Sequence, residues 1–281
     1  MVRAKILFLG LCILLIASCH SEYISLMFRL HHGASWNADS SMVAFVASKA
    51  AYRKASGISR FPDGGQAKFL MEDVSLYIYS TNEKDLQQLV SFNDLTDLTG
   101  PWRSSWKVKT AIVDRVVYYQ INPVSDWSWY LNEINTPKDS LAAIRLKDKY
   151  NKIYAFHLPS NTIDVQQVKE WDNLGIEKKK ASLTLINNML DNLPVKELGL
   201  DIMEIYPKPE KEYIRETIYL KNNSPLARRA VIEQIISKLE KNEVEELLEE
   251  MDSYMNQLEG YEKTHYRIHS EETREKIRAL L

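Results

Sequence analysis

Cysteine is almost missing from this chain: its 281 residues contain two, Cys12 and Cys19. Nothing after residue 19 can form a disulfide, so the bulk of the protein must be held by its core alone. Glycine is also scarce, at nine residues. No Gly-x-Gly-x-x-Gly or Gly-Lys-Ser/Thr run occurs, which argues against a P-loop or Rossmann nucleotide site and leaves no cofactor to expect. A Gly-x-Ser-x-Gly elbow is absent, so no hydrolase serine stands out. There is no basic excess, since the formal net charge is −2, and nucleic acid is not an expected partner. Long apolar runs are missing too. The longest, Ile6–Ile16, would rise only about 16 Å as a helix, roughly half of a bilayer's hydrocarbon core.

What is present begins at that run. Arg3 and Lys5 precede it, and Ile16-Ala17-Ser18-Cys19 follows it. A cationic start, a short apolar stretch and small residues before a break are the order of a secretory signal. Ile16-Ala17-Ser18-Cys19 further resembles the lipobox of bacterial lipoproteins. The resemblance implies cleavage after Ser18 and a lipid on Cys19, which would hold the mature chain to a membrane. Cys12 has Leu11 before it and would leave with the signal. His20 stands where the family's inner-membrane members carry Asp, which favours the outer membrane. A plain secretory signal and an uncleaved anchor are the alternatives. On this reading the domains are residues 1–18 as signal, 19–33 as tether (with His31 and His32 as spacer), 34–165 as a β-rich module and 166–281 as a helical module.

Once residues 1–18 are gone, 263 remain, with 34 basic and 38 acidic side chains. That length suits one large or two modest domains. Five of six tryptophans fall between residues 34 and 165. Strand signals recur at Met42–Ala47, Val74–Tyr79, Leu86–Val90, Val108–Val113, Val116–Ile121, Leu141–Leu146 and Ile153–Leu158. The polar spacers 81–85 and 147–152 read as hairpin turns. Beyond residue 165 the spacing turns helical. Asp164 is placed to cap Val165–Trp171. Leu183, Ile186 and Leu190 share a helix face. Ser224-Pro225 opens a helix with stripe Val231, Ile232, Ile235, Ile236 and Leu239. Asn242 with Glu245 resembles a capping box before Val244, Leu247, Leu248, Met251, Met255 and Leu258. Ser270 is placed to cap a last helix, and Tyr213–Leu220 fits either period. The expected class is α+β.

Trp36 through Ser48, Trp-Asn-Ala-Asp-Ser-Ser-Met-Val-Ala-Phe-Val-Ala-Ser, resembles the opening of a TolB-type β-propeller blade. Ala38 and Ser40 replace that family's Pro and Gly. Leu76–Tyr79 and Gln87–Leu89 resemble its closing strands, and a weaker copy runs from near Trp106 to Phe156. The likeness implies blade-like sheets and protein contacts. About 130 residues suffice for two or three blades, short of a closed propeller.

Several constellations bear on chemistry. His265 and His269 share a helix face near Glu271 and Glu272, without the Glu that a His-Glu-x-x-His zinc motif requires. A solvated turn is the plainer reading, and no metal is expected. Trp102, Trp106, Trp127 and Trp129 could stack on sugars, though tryptophan more often fills a β core. The acidic run Glu240–Asp252 reads as a wet helix face or as a receiver for a basic partner. A glycosidase pair cannot be picked from sequence, because its separation is spatial. The leading expectation is a non-enzymatic, lipid-anchored envelope protein that binds or scaffolds another protein. An envelope hydrolase or glycan-processing enzyme, and a glycan-binding lipoprotein, are the alternatives.

Overall fold

The computed structural model describes residues 22–31, 33–55, 67–93, 106–123, 152–166, 171–174, 179–219 and 224–281. The fold is α+β: two antiparallel sheets, not closed into a propeller, precede a run of helices. Ten strands are described: β1 (Glu22–Leu30), β2 (Ser35–Trp36), β3 (Met42–Ala55), β4 (Ala67–Ser80), β5 (Asp85–Ser91), β6 (Trp106–Val113), β7 (Val116–Pro123), β8 (Ile153–His157), β9 (Thr162–Val165) and β10 (Lys179–Lys180). Six α-helices follow: α1 (Leu183–Leu190), α2 (Ile202–Ile205), α3 (Glu210–Ile218), α4 (Pro225–Gln234), α5 (Lys241–Gln257) and α6 (Gly260–Arg278).

The chain divides into two compact units. The sheet unit takes residues 28–49 and 72–193, and the helical unit takes 1–27, 50–71 and 194–281. The boundary between sheet and helix therefore falls near residue 193 rather than 165. Strand β10 and helix α1 still belong to the sheet unit, while the outer ends of β1, β3 and β4 belong to the helical one.

In the sheet unit, one sheet runs β10-β2-β3-β4-β5, with β1 also on β3, and the other runs β6-β7-β8-β9. Period-two alternation builds the core between them. Ala44 and Val46 of β3 and Val74, Leu76 and Ile78 of β4 share one cluster with Val108, Ile112, Val117, Tyr119, Ile121 and Phe156 of the second sheet. Cross-strand pairing keeps these in step, as Val108 faces Ile121 and Val117 faces Phe156. The far face of the second sheet holds Ala111, Ile153 and Trp171. The 81–85 spacer makes the expected β4–β5 hairpin, and Asp114-Arg115 makes a two-residue turn with Asp114 at φ 53°. Residues 141–146 and most of the 147–152 spacer lie outside the described residues.

Four local expectations change. The tether over 19–33 is mostly strand, because Ile24, Leu26, Phe28 and Leu30 alternate with period two; β1 pairs with β3, and Ile24 and Leu26 are buried. His31 is partly buried, and its backbone N–H donates to Val46 O at 2.7 Å. Asp164 caps no helix: it lies in β9 opposite Ala155, within reach of His157 Nε2 at 3.1 Å. The capping box of α5 forms two residues earlier than expected, between Glu240 and Glu243. Ser270 sits inside α6, where no Gly or Pro interrupts residues 261–281, and its hydroxyl donates to Arg267 O. By contrast, Ser224 caps α4 as expected, accepting from Ala227 N at 3.3 Å. The ambiguous 213–220 stretch is helical through Ile218.

Gly33 lies between β1 and β2, at φ 109°, where a Cβ would overlap the Val108 carbonyl oxygen. Thr110 donates its hydroxyl to Gly33 O and meets the Ser35 hydroxyl at 2.9 Å. This close approach ties β2 to β6 inside the sheet unit. In the helical unit, the buried Gln234 amide performs a similar service. It accepts from Ile202 N at 2.9 Å and donates to Leu200 O at 3.0 Å. Gly33→Ala should lower unfolding stability by about 2 kcal/mol or more, through steric overlap and a disfavoured φ. Gln234→Leu should cost roughly 2–3 kcal/mol by stranding a buried N–H and C=O. Urea unfolding with an unchanged slope is the check; an unmoved midpoint in either variant refutes that account.

Candidate functional site

Sequence-nominated residues are scattered. Ser18, Cys19, Trp102, Trp127 and Trp129 lie outside the described residues. Trp106 begins β6, with its backbone paired to Pro123. His265 and His269 do lie on successive turns of α6, edge to face with ring centroids 4.5 Å apart. Their acidic neighbours look elsewhere: Glu271 pairs with Arg267 at 3.8 Å and Glu272 with Lys276 at 2.6 Å. Among the described residues, no group of three or more His, Cys, Asp or Glu side chains is positioned to hold a metal ion.

The histidines instead border an aromatic cleft in the helical unit. Its volume is about 270 Å³, and Tyr219, Tyr254, Leu258, Tyr261, Glu262, His265, Tyr266 and His269 line it. Three elements build it. Helix α3 ends at Tyr219, α5 brings Tyr254 and Leu258 near its C-terminus, and α6 brings the rest at i, i+4 spacing. Tyr254 stands edge-on to Tyr219 at 4.7 Å and to Tyr266 at 5.1 Å, the arrangement that ring quadrupoles favour. Tyr266 is fixed: it is buried, and its hydroxyl donates to Ile218 O at 2.6 Å. Burial pushes the Tyr266 and Tyr254 phenols up from their ordinary value, with Tyr254 adding to the first and Glu262 to the second. Tyr261 is the opposite case, 81% exposed beside His265 at 5.8 Å. The cleft thus has a rigid aromatic floor and an exposed aromatic rim. Such a surface can take up an apolar or flat group, or a cation over a ring face.

The sheet unit has a larger groove, of about 430 Å³. Ser41, Ser80, Asn82, Glu83, Asp85, Gln87 and Arg115 supply its polar lining, and no aromatic residue borders it. Glu83 and Asp85 are both exposed. A second polar feature of this unit is closed. Asp73 is buried and accepts from the Ser75 hydroxyl at 2.9 Å and the Ser91 hydroxyl at 3.2 Å, with Lys49 Nζ 3.7 Å away. Its partners are internal, so it serves the fold. Two carboxylates and an aromatic cleft, the pairing a glycan-processing site would use, do not coincide in either cavity. Nothing in the sequence singles out these tyrosines among the fifteen in the chain. Tyr254, Tyr261 and Tyr266 stand seven and five apart, a spacing that means nothing until α5 turns into α6.

Buried Tyr77, Tyr213 and Tyr266 all have phenols raised from 10.0, chiefly by burial. A raised acid favours the native state only while the phenol stays protonated. Stability from these groups is complete below pH 10.0 and falls as pH climbs past it, because the unfolded chain ionises first. Tyrosinate absorbance from the buried set should therefore appear together with loss of near-UV dichroism. Smooth ionisation of all fifteen tyrosines in a chain that stays folded would contradict this.

Compared with protein-family models, curated proteins and solved structures, the chain matches none.

Proposed function

We propose that this protein is a lipid-anchored lipoprotein of the bacterial envelope, with the outer membrane favoured, and that it binds or scaffolds another protein rather than catalysing a reaction. The observation that carries the anchor is Ile16-Ala17-Ser18-Cys19 directly after an eleven-residue apolar run with Arg3 and Lys5 before it. Spacing and order agree, and Cys19 is the last cysteine in the chain. No helix among the described residues is long and apolar enough to cross a membrane.

The tyrosine cleft supports the binding role. Aromatic side chains concentrate at protein interfaces because they bury large area with few rotatable bonds. Tyr261 and Tyr219, 81% and 41% exposed, together with exposed Ile268 on the same helix, place such side chains on the surface of the helical unit. The fixed Tyr254–Tyr266 pair beneath them gives a partner a preorganised floor.

The anchor is tested by Cys19→Ser in the full-length precursor with metabolic fatty-acid labelling. Label should vanish and the protein should leave the membrane fraction; unchanged labelling would sink the assignment. Purification from membranes through a C-terminal tag tests the binding role. A partner retained by the parent protein should be lost with Tyr261→Ala, and retention of the same partner by that variant would remove the cleft from the interface.

A further inference from the structure

Among the described residues the tyrosine cleft carries fixed charge of one sign. Glu262 is the carboxylate in its lining, and no described Lys or Arg lines it. His265 and His269 add no fixed positive charge. Neighbouring acids are already engaged: Asp252 pairs with Arg274, Glu271 with Arg267 and Glu272 with Lys276. Glu262 is exposed and has no ion pair among the described residues. Its charge is felt inside the cleft, where it adds to burial in holding the Tyr254 phenol above its ordinary value.

The rings around that carboxylate suit a cation. Tyr254 stands nearly perpendicular to Tyr219 and to Tyr266, at 85° and 77°. Perpendicular rings turn their electron-rich faces in different directions, the arrangement by which aromatic cages hold a cation. The Tyr266 hydroxyl is spent on Ile218 O, so the floor offers a ring and not a phenol. Tyr219 and Tyr261 are the exposed rings. A planar guanidinium can lie on a ring face and fork to a carboxylate at once, which an ammonium cannot.

The approach along α5 is acidic as well. Glu243, Glu246, Glu250 and Tyr254 succeed one another at intervals of three, four and four residues, the spacing of one helix flank. All three glutamates are exposed. Glu243 caps the helix start through Glu240 N, whereas Glu246 and Glu250 enter no ion pair among the described residues. The single cation of α5, Lys241, pairs with Glu245 on the other side of the helix. Arg215 and Lys263, close in sequence to Tyr219 and Glu262, line no part of the cleft and pair with neither Glu262 nor Glu250. Lys221 lies outside the described residues.

We propose that the cleft seats an arginine side chain from a basic segment of the protein partner. Its guanidinium rests on the tyrosine rings with Glu262 as countercharge, while Glu250 and Glu246 meet further cations of that segment. This names the chemistry of the partner and rests on the binding role proposed above. An apolar side chain would satisfy the rings alone. The carboxylate beside them selects a cation, since covering it without a countercharge costs its hydration.

The full-length processed protein, purified in detergent, is titrated with a fluorescent peptide of alternating arginine and glycine and with its twin in which citrulline replaces arginine. Polarisation should show the arginine peptide binding about tenfold tighter. Glu262→Gln and Tyr261→Ala should each weaken it about fivefold or more, while Glu245→Gln, on the far side of α5, changes it little. Equal binding of the two peptides, or equal losses in Glu262→Gln and Glu245→Gln, overturns the proposal. Binding that emerges only in Lys221→Met makes that lysine the occupant and overturns it too. Purification of the membrane partner through the C-terminal tag separates the two readings. A partner lost with Tyr261→Ala yet kept by Glu262→Gln overturns the arginine and leaves the binding role standing. A partner kept by both variants removes the cleft from the interface, and this proposal with it.

Discussion

Both faces of β4 are buried from Asp73 to Tyr79, and this constraint shapes the sheet unit. A strand with one wet face can alternate apolar and polar residues freely. Here Val74, Leu76 and Ile78 enter the core between the sheets, so Asp73, Ser75 and Tyr77 must find company on the other side. The chain supplies it locally. Ser75 and Ser91 hydroxyls donate to Asp73, Gln88 donates to Ser75 at 3.0 Å, and Lys49 brings the countercharge. Tyr77 stacks on Phe45 at 5.9 Å and leans on Phe28 at 5.6 Å. A polar group left unmatched there would cost more than the hydrogen bond it lost. The pairing therefore fixes register as well as stability, since a slip of one residue would drive Asp73 into the apolar core.

The helical unit meets the same requirement by a different route. Lys208 and Glu216 are both nearly inaccessible and pair directly, with the ammonium 4.4 Å from the Tyr213 ring centroid. Tyr213 in turn donates its hydroxyl to the backbone oxygens of Ile202 and Tyr206. Glu233 accepts from Val195 N at 2.6 Å and from Arg229 at 2.6 Å. These contacts hold the irregular 194–209 segment against α3 and α4 without long secondary structure. Buried ion pairs of this kind add little net stability against apolar substitutes, but losing one member leaves an uncompensated charge. Their value here is in specifying one arrangement of short helices that propensity alone would not choose.

Much of this was legible in the sequence, and the failures have a common cause. The β4–β5 hairpin was readable because period-two runs flanked a polar turn, and β6 and β7 were readable as apolar runs, without the turn that joins them. The Ser224-Pro225 start and the Val244–Met251 stripe were readable because a cap and a periodicity agreed. Where one signal stood alone, tertiary context overruled it. Ser270 looked like a cap but returns its hydroxyl to its own helix, and Asp164 was claimed by cross-strand pairing. Asn242 and Glu240 each have a Glu three residues on, and the poorer N-cap by propensity is the one used. Strand β1 was plain in Ile24, Leu26, Phe28 and Leu30, yet its position just after the lipobox-like Ile16-Ala17-Ser18-Cys19 suggested a tether. The cleft was illegible for a different reason: its tyrosines come from three helices and converge only through the α5–α6 turn.

Losing the tether alters what an anchored binding protein would be. A leash lets a domain search for partners in a volume set by linker length, and every surface of the domain is then available. With only His20 and Ser21 between Cys19 and β1, a lipid on Cys19 would leave little of that freedom. The start of β1 and the tyrosine cleft both belong to the helical unit, which is knit by contacts such as the Ser224 hydroxyl on Leu26 O at 2.7 Å. A partner captured at Tyr261 would be held within one folded unit's breadth of the lipid. Orientation would then be set by the fold rather than by diffusion on a linker. The entropic cost of bringing a partner to the bilayer would be met once, when β1 pairs with β3, and not again at each encounter. Scaffolding at a fixed height above a membrane requires that economy, and a tethered domain cannot provide it.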